Sequence, residues 1–230
     1  MPEITVPYPV PYTCQYASPE QVREFVADPA ALLTDPNWAS YGAASPAEYA
    51  HWARRSCGVV CVKMAADALT GAPGGTVMDW VRAGLALDGY LTEPNPDHPD
   101  RRVERGWKHA ALARLAANRG LQAHRAAHLA LDDLAAHVRA GRLVIASVSA
   151  ELGDDGPVTR HAGHLVLVYG VEHNGSKVTG VILHNPSGRT PALQAGARIP
   201  AGRFRSAFSG RGIVVGRGSE QNEEHVQPQP

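Results

Sequence analysis

The chain has 230 residues, of which 44% are hydrophobic and 19% charged, the composition of an ordinary globular protein with one sizeable core. Its 22 basic and 22 acidic residues give a formal net charge of zero, which provides no electrostatic attraction to nucleic acid or to an anionic membrane. No apolar run approaches the roughly 18 residues of a membrane-spanning helix, and three cysteines do not make a secreted disulfide framework. The N-terminus lacks a signal-peptide pattern, so we expect a cytoplasmic protein without nucleic-acid or membrane partners.

The first part of the chain is predicted to be largely irregular. Residues 4–12 intersperse prolines with apolar residues, which predicts an extended arm. Ser18 followed by Pro19 predicts the start of a helix that runs to about Ala27. Residues 28–44 carry two Asp-Pro pairs and predict a long irregular segment. This segment forms either one wall of an active-site cleft or a separately packed loop.

Helix signals then follow in close succession. Ser45 and Pro46 predict the start of a short helix. This helix leads into a second one from Cys57 to about Thr70, which a Gly-rich turn ends. A third helix is predicted over 77–86. Residues 89–105 contain three prolines and several charges, which predicts an exposed loop.

The second half of the chain changes between the helix and strand periods. Helices are predicted to open at Trp107 and to span 130–140 and 199–208, and strands are predicted at 121–125, 143–148, 162–171, 178–185 and 212–216. Residues 218–230 are rich in Gln, Glu and Pro, which predicts a disordered tail. The order of elements predicts a single α+β domain over residues 1–217, with N-terminal helices packed on a C-terminal, mostly antiparallel sheet.

Cys57 lies at a position that favours a reactive thiol. Ser56 is placed as N-cap or N′, so Cys57 falls in the first helical turn, where free backbone N–H groups and the helix dipole favour an anion. This environment lowers the pKa of a thiol and predicts a nucleophilic thiolate. Val60 and Met64 further along would hold the helix in the core. The alternative is that Cys57 is a small buried core residue.

A candidate base and a group that orients it lie downstream. His164 opens an apolar strand and Asn185 ends the next one, and two adjacent antiparallel strands can bring such residues side by side. An Asn side chain accepts an imidazole N–H and fixes the tautomer of the base. Upstream, the Gln15 amide is a candidate donor to an oxyanion, together with the backbone N–H of Cys57.

Four short motifs together resemble a known family: Pro11-Tyr12-Thr13-Cys14-Gln15, Ser56-Cys57-Gly58, Gly163-His164 and Asn185-Pro186-Ser187-Gly188. Their order and spacing, over residues 4–216, resemble the papain-like cysteine peptidases of the bacterial C39-like group. Two positions depart from its pattern, since Val59 stands where many members have Pro and Asn185 where many have Asp. The resemblance implies a papain-like α+β fold with Cys57, His164, Asn185 and Gln15 as catalytic residues.

The leading hypothesis is a cysteine peptidase or amidase that acts on a peptide, or on a small amide or thioester, through an acyl-enzyme. Two alternatives stay open: an acyltransferase that forms amide bonds with the same residues, and a non-catalytic binding domain on the same fold. The sequence has no Gly-rich phosphate loop and no complete set of metal ligands, so neither a cofactor nor a metal is expected. Cys14, Cys61 and His184 are assigned structural roles. The sequence does not predict an oligomeric state.

Overall fold

The structure is a computed structural model that describes residues 2–72, 74–98, 100 and 102–218. Of the predicted disordered tail, 218–230, all but Gly218 lies outside the described residues. The extent of the predicted single domain, 1–217, stays a prediction.

The described residues form helices and strands in the following order. The helices are α1 (Val22–Ala27), α2 (Pro46–Ala53), α3 (Cys57–Thr70), α4 (Val77–Leu85), α5 (His109–Ala117), α6 (Leu131–Arg139) and α7 (Ala201–Ala207). The strands are β1 (Glu3–Thr5), β2 (Tyr90–Pro94), β3 (Arg102–Trp107), β4 (Leu121–Ala126), β5 (Leu143–Ser149), β6 (Gly163–Asn174), β7 (Lys177–His184), β8 (Ala197–Pro200) and β9 (Phe208–Arg217). Short 3-10 helices lie at Pro19–Gln21, Pro29–Thr34, Trp38–Tyr41, Ala150–Gly153 and Pro191–Leu193.

One antiparallel sheet makes up the C-terminal half, with the strand order β4-β9-β5-β6-β7-β8. The 12-residue strand β6 pairs with β7 on one side and with β5 on the other, and β1 pairs with β6 on the β5 side, just beyond the first residues of β5. Every residue of β5 is buried, as its continuous apolar run predicts. Strands β2 and β3 form a separate hairpin. The predicted α+β fold, with helices ahead of a mostly antiparallel sheet, is confirmed.

Helix α3 lies in the core, and its residues from Gly58 to Leu69 are all buried. Its sequence is apolar on nearly every side, which is typical of a helix enclosed by other elements. It packs against β6, α4 and α5. Its two charged residues, Lys63 and Asp67, pair with each other at 2.5 Å. The helix ends at Thr70 as predicted, because Gly71 takes up the left-handed conformation with φ +69°.

Two segments that were predicted to be irregular contain regular structure. The 28–44 segment holds two 3-10 helices and packs against α2. None of its residues lines the cavity described below, so its prediction as a cleft wall is wrong. Its buried residues Leu32 and Tyr41 belong to the main core and Trp38 packs against that core, so the segment is a packed loop without a separate core of its own.

The 89–105 segment forms most of the β2–β3 hairpin, because Pro94 falls at the end of a strand and leaves the ladder intact. Strand β8 was not predicted, and the helix predicted from residue 199 begins at Ala201.

A buried carboxylate joins three segments of the helical half. Asp35 is 1% exposed, and its Oδ1 accepts hydrogen bonds from Ser18 Oγ at 2.6 Å and from the backbone N–H of Asn37 at 2.9 Å. Its Oδ2 accepts from the hydroxyl of Tyr49, which itself accepts the backbone N–H of Ala17 at 3.0 Å. These donors replace the water that the carboxylate loses on burial. The network connects α2, the 28–44 segment and the chain just before α1.

Replacing Asp35 with alanine is expected to destabilise the protein by about 3 kcal/mol or more, because hydrogen bonds to a charged group are each worth about 1.5–3 kcal/mol. Urea unfolding followed by circular dichroism measures this change. Asp132→Ala, at an exposed position of α6, is the control and should change the free energy of unfolding by less than about 1 kcal/mol. Equal effects of the two substitutions would show that the Asp35 network does not stabilise the fold.

Candidate active site

Cys57 is the first residue of α3, and the glycine that follows it sets how closely this end of the helix approaches the sheet. A Cβ added at Gly58 would lie 2.9 Å from Leu112 Cδ1, 3.1 Å from Leu165 Cδ1 and 3.2 Å from Trp107 Cβ. Contacts this short leave no room for a side chain without movement of the neighbours. The absence of a Cβ at Gly58 therefore lets the start of α3 lie directly against the start of β6.

His164 and Asn185 are in contact. His164 is 6% exposed near the start of β6, and its Nε2 lies 2.8 Å from Oδ1 of Asn185, which is buried just beyond the end of β7. The backbone N–H of Ser187 donates to the same Oδ1 at 3.1 Å, which fixes the orientation of the Asn185 amide. Because Oδ1 only accepts, Nε2 of His164 carries the proton and Nδ1 carries the lone pair. The predicted neighbours are thus brought together, in the tautomer that leaves Nδ1 as a base.

Cys57 and His164 line the same cavity, which has a volume of about 1170 Å³. Its walls come from the starts of α3 and α5, from the β2–β3 hairpin and from strands β4, β5, β6 and β9. The cavity therefore lies where the helical half meets the sheet, with the thiol on the helical side and the imidazole on the sheet side. This is the placement that the order of elements predicts.

Burial controls the charge state of both groups. It raises the pKa of the Cys57 thiol to about 11, although the backbone N–H groups of Leu165, Gly58 and Cys57 itself favour the thiolate. It lowers the pKa of the His164 imidazole to about 4, although the hydrogen bond with Asn185 opposes this change. Both groups are therefore neutral at neutral pH. The thiolate predicted from the sequence is wrong for this resting state, because desolvation outweighs the effect of the helix start.

Gln15 lies beneath the end of α2 and does not line the cavity. Its side chain is buried, and Nε2 donates to the backbone carbonyl of Ala53 at 2.8 Å. Its Oε1 has no hydrogen-bond partner in the part of the chain that the structure describes. One N–H of Nε2 is used by Ala53, so the other N–H is the one that remains for the predicted oxyanion role. That role stays a prediction.

The remaining sulfur and imidazole candidates have structural surroundings. Cys14 and Cys61 are both buried, and Cys61 Sγ donates to the carbonyl of Leu165 at 3.4 Å, which ties α3 to β6. Nε2 of His184 donates to the carbonyl of Val10 at 2.8 Å, and its Nδ1 accepts a backbone N–H at 3.0 Å. Both ring nitrogens of His184 are thus occupied by the backbone, as expected for a structural histidine.

Metal ligands and membrane spans were both sought in the described ranges. Within residues 2–72, 74–98, 100 and 102–218, no three His, Cys, Asp or Glu side chains come close enough to share a metal ion. Over the same ranges, no helix has both the length and the apolar composition that a membrane span requires.

No protein-family model matches the sequence, and no curated protein matches it significantly. Three solved structures are similar in fold. The peptidase domain of Streptococcus ComA, a bi-functional ABC transporter in a quorum-sensing pathway, is 13% identical with a TM-score of 0.45, covering 71% of this chain and 93% of that one. A C39-like peptidase from Bacillus anthracis is 17% identical with a TM-score of 0.48, covering 72% and 90%. A double glycine motif protease from the AMS/PCAT transporter, in complex with a leader peptide, is 13% identical with a TM-score of 0.41, covering 70% and 83%.

All three are named as peptidases or proteases, and the Bacillus anthracis protein is named as C39-like, the group that the four motifs resemble. The likenesses are distant, so the chemistry of this chain rests on its own side chains.

The hairpin and one serine contribute to the site without having been predicted. Tyr90 and Trp107 stand opposite each other in the β2–β3 ladder, and both line the cavity. Arg55 pairs with Glu104 of the hairpin, and Trp107 Nε1 donates to the carbonyl of Arg55 at 2.6 Å, so the hairpin is tied to the turn before α3. Ser187 Oγ lies 3.2 Å from Nε2 of His164. Tyr90 and Trp107 are the first and last residues of the hairpin, and these two aromatic residues were the sequence signal from which this wall could have been predicted.

Gly58→Ala is expected to lower the free energy of unfolding by about 1–3 kcal/mol through overpacking, and to slow the reaction of Cys57 because the helix start must move away from β6. Gly202→Ala in α7 is the matched control, since a Cβ there meets no atom within 4 Å and should be neutral or stabilising by about 1 kcal/mol or less. Thermal melts and thiol labelling measure the two effects. Unchanged labelling in Gly58→Ala would show that the approach of α3 does not position Cys57.

Proposed function

We propose that this chain is a papain-like cysteine peptidase or amidase, with Cys57 as nucleophile, His164 as base and Asn185 as the residue that orients the base. The observation that carries the proposal is the 2.8 Å contact between His164 Nε2 and Asn185 Oδ1. This contact leaves the lone pair of His164 on Nδ1, in a side chain that lines the same cavity as Cys57. A thiol and an oriented neutral imidazole in one cavity are the groups that acyl transfer requires.

In the proposed reaction, His164 removes the thiol proton of Cys57 as the sulfur attacks the carbonyl carbon of an amide. A neutral starting pair makes this proton transfer part of the attack. The backbone N–H of Cys57 donates to the tetrahedral oxyanion, with the second N–H of Gln15 as the proposed further donor. The imidazolium then protonates the leaving amine. Water, deprotonated by the same Nδ1, hydrolyses the thioester and regenerates the thiol.

The assignment of the nucleophile is tested with a peptidyl acyloxymethyl ketone and intact-protein mass spectrometry. Cys57→Ala should abolish the covalent adduct, and His164→Ala should slow its formation by about 10²–10⁴-fold, the usual size of a general-base contribution. Cys61→Ala is the matched control, because Cys61 is buried one turn further along α3, and it should keep the adduct while losing some stability.

The products distinguish the outcomes of this test. An adduct on Cys61 would show that the nucleophile is wrongly assigned. If Cys57 is labelled no faster than a free thiol in solution, the result would support a non-catalytic binding domain on the same fold. With a peptide amide or thioester as substrate in place of the ketone, transfer of the acyl group to an added amine in preference to water would identify an acyltransferase that uses the same residues.

The pH dependence tests the neutral pair. Because the base form of His164 exists above its pKa of about 4, the rate of Cys57 acylation should fall only as the pH drops through about 4. It should be flat through neutrality, since the pKa of Cys57 is raised to about 11. Asn185→Asp places a carboxylate beside Nε2, which favours the imidazolium and should move the acid limb to higher pH. A bell-shaped profile with an alkaline limb near neutrality would instead identify a thiolate–imidazolium pair as the reactive form.

A further inference from the structure

The cavity concentrates positive charge in a protein whose formal net charge is zero. Glu104 is the acidic residue among its lining residues, whereas five arginines line it: Arg54, Arg55, Arg105, Arg125 and Arg211. Since clefts focus the field of the charges that line them, this arrangement favours an anionic ligand.

Two of these arginines have structural partners. Arg55 pairs with Glu104 and donates to the backbone carbonyl of His51 at 2.6 Å, and Arg105 pairs with Glu93 at 2.8 Å. Both contacts hold the β2–β3 hairpin. These guanidinium groups are therefore already neutralised by protein carboxylates.

Arg54, which follows the end of α2, forms no ion pair with an acidic group of the described ranges, but it lies on the helical side of the cavity. Arg125 and Arg211 are exposed and likewise form no such ion pair. They lie on the neighbouring strands β4 and β9. Arg125 stands opposite Ile213, and Arg211 comes two residues before Ile213 on the same strand. Arg211 therefore lies diagonally across from Arg125 on the two paired strands, and both side chains line the cavity.

A bulge in β9 places Arg211 at the cavity. The pairing of β5 with β9 shifts from Ala146 opposite Gly212 to Val148 opposite Phe208, so that residues 209–211 face Ser147 alone. Gly210 supports this turn with φ +72°, and Ser209 Oγ donates to the carbonyl of Ser147 at 3.0 Å. Bulges of this kind redirect side chains and are common beside active sites.

His109 lies within reach of the positive charges of both guanidinium groups. It begins α5, is half-buried and lines the cavity. Burial lowers the pKa of His109, and the positive charges of Arg211 and Arg125 lower it further. Two like charges placed together without a counter-ion are unfavourable in the free protein. An anion between them would remove this repulsion, and a planar guanidinium binds a carboxylate through two parallel hydrogen bonds.

We propose that Arg125 and Arg211 form a carboxylate subsite, so that the substrate of this chain is an acidic peptide. The substrate class rests on the proposed function, because Cys57 needs a peptide or amide carbonyl to attack. A peptide is favoured over a nucleic acid because the zero net charge gives the rest of the surface no general attraction to phosphates.

Binding is measured by fluorescence anisotropy with the full-length Cys57→Ala protein, so that no turnover is needed. The probe is a fluorescein-labelled octapeptide of alternating alanine and glutamate, and the comparison probe has glutamine in place of glutamate. The glutamate peptide should bind about 10–100-fold more tightly, in line with charge-assisted hydrogen bonds, and the difference should shrink at high salt. Further substitution with R125Q and R211Q should remove the difference.

The control is R139Q, which removes an exposed arginine of α6 outside the cavity and should preserve the difference. Equal binding of the two peptides, or a difference that survives R125Q and R211Q in a folded protein, would overturn the subsite. Tighter binding of a single-stranded oligonucleotide of equal charge would assign these arginines to nucleic acid instead. If the unsubstituted protein binds the acidic peptide but its Cys57 does not react, the subsite is retained and the peptidase is refuted. If Cys57 reacts but the protein does not prefer the acidic peptide, the subsite alone is refuted.

Discussion

The contact between the start of α3 and the start of β6 is the constraint on which the candidate site depends. Gly58 has no Cβ, so the helix backbone lies within side-chain contact distance of Leu165, and the thiol of Cys61 donates to the carbonyl of the same residue. Since nearly all of α3 is buried, its position is determined by the core and cannot shift independently. The distance from Cys57 to the strand that carries His164 is therefore a property of the packing of the whole domain.

A short chain of hydrogen bonds then sets the tautomer of the proposed base. The backbone N–H of Ser187 sets the amide of Asn185, and that amide sets the tautomer of His164. Backbone groups thus decide which imidazole nitrogen can act as a base, without a carboxylate in the relay. Because no carboxylate of the described residues offsets the desolvation of the ring, the imidazole stays neutral, and burial keeps the thiol neutral as well.

The sequence was informative where local signals agreed with the tertiary environment. The bounds of α3 followed from a cap position and a glycine, and the pairing of His164 with Asn185 followed from two adjacent strands. The β2–β3 hairpin was not predictable because its anchor, the contact of Trp107 with Arg55, joins residues far apart in the chain. The charge state of Cys57 was not predictable either, because the helix start is visible in the sequence whereas the depth of burial is a tertiary property.

The groups that hold the chemistry and the groups proposed to select the substrate are electrostatically separate. Burial and hydrogen bonds alone shift the pKa values of Cys57 and His164, and no guanidinium of the described residues contributes to either shift. Arg125 and Arg211 act on His109 instead, at another part of the cavity wall. Because salt screens exposed charges much more than buried groups, ionic strength is expected to act on the proposed substrate capture and to leave the proposed proton transfer nearly unchanged. In the proposed site, β9 with its bulge carries recognition and β6 with its histidine carries catalysis, and the two strands flank β5 on opposite sides.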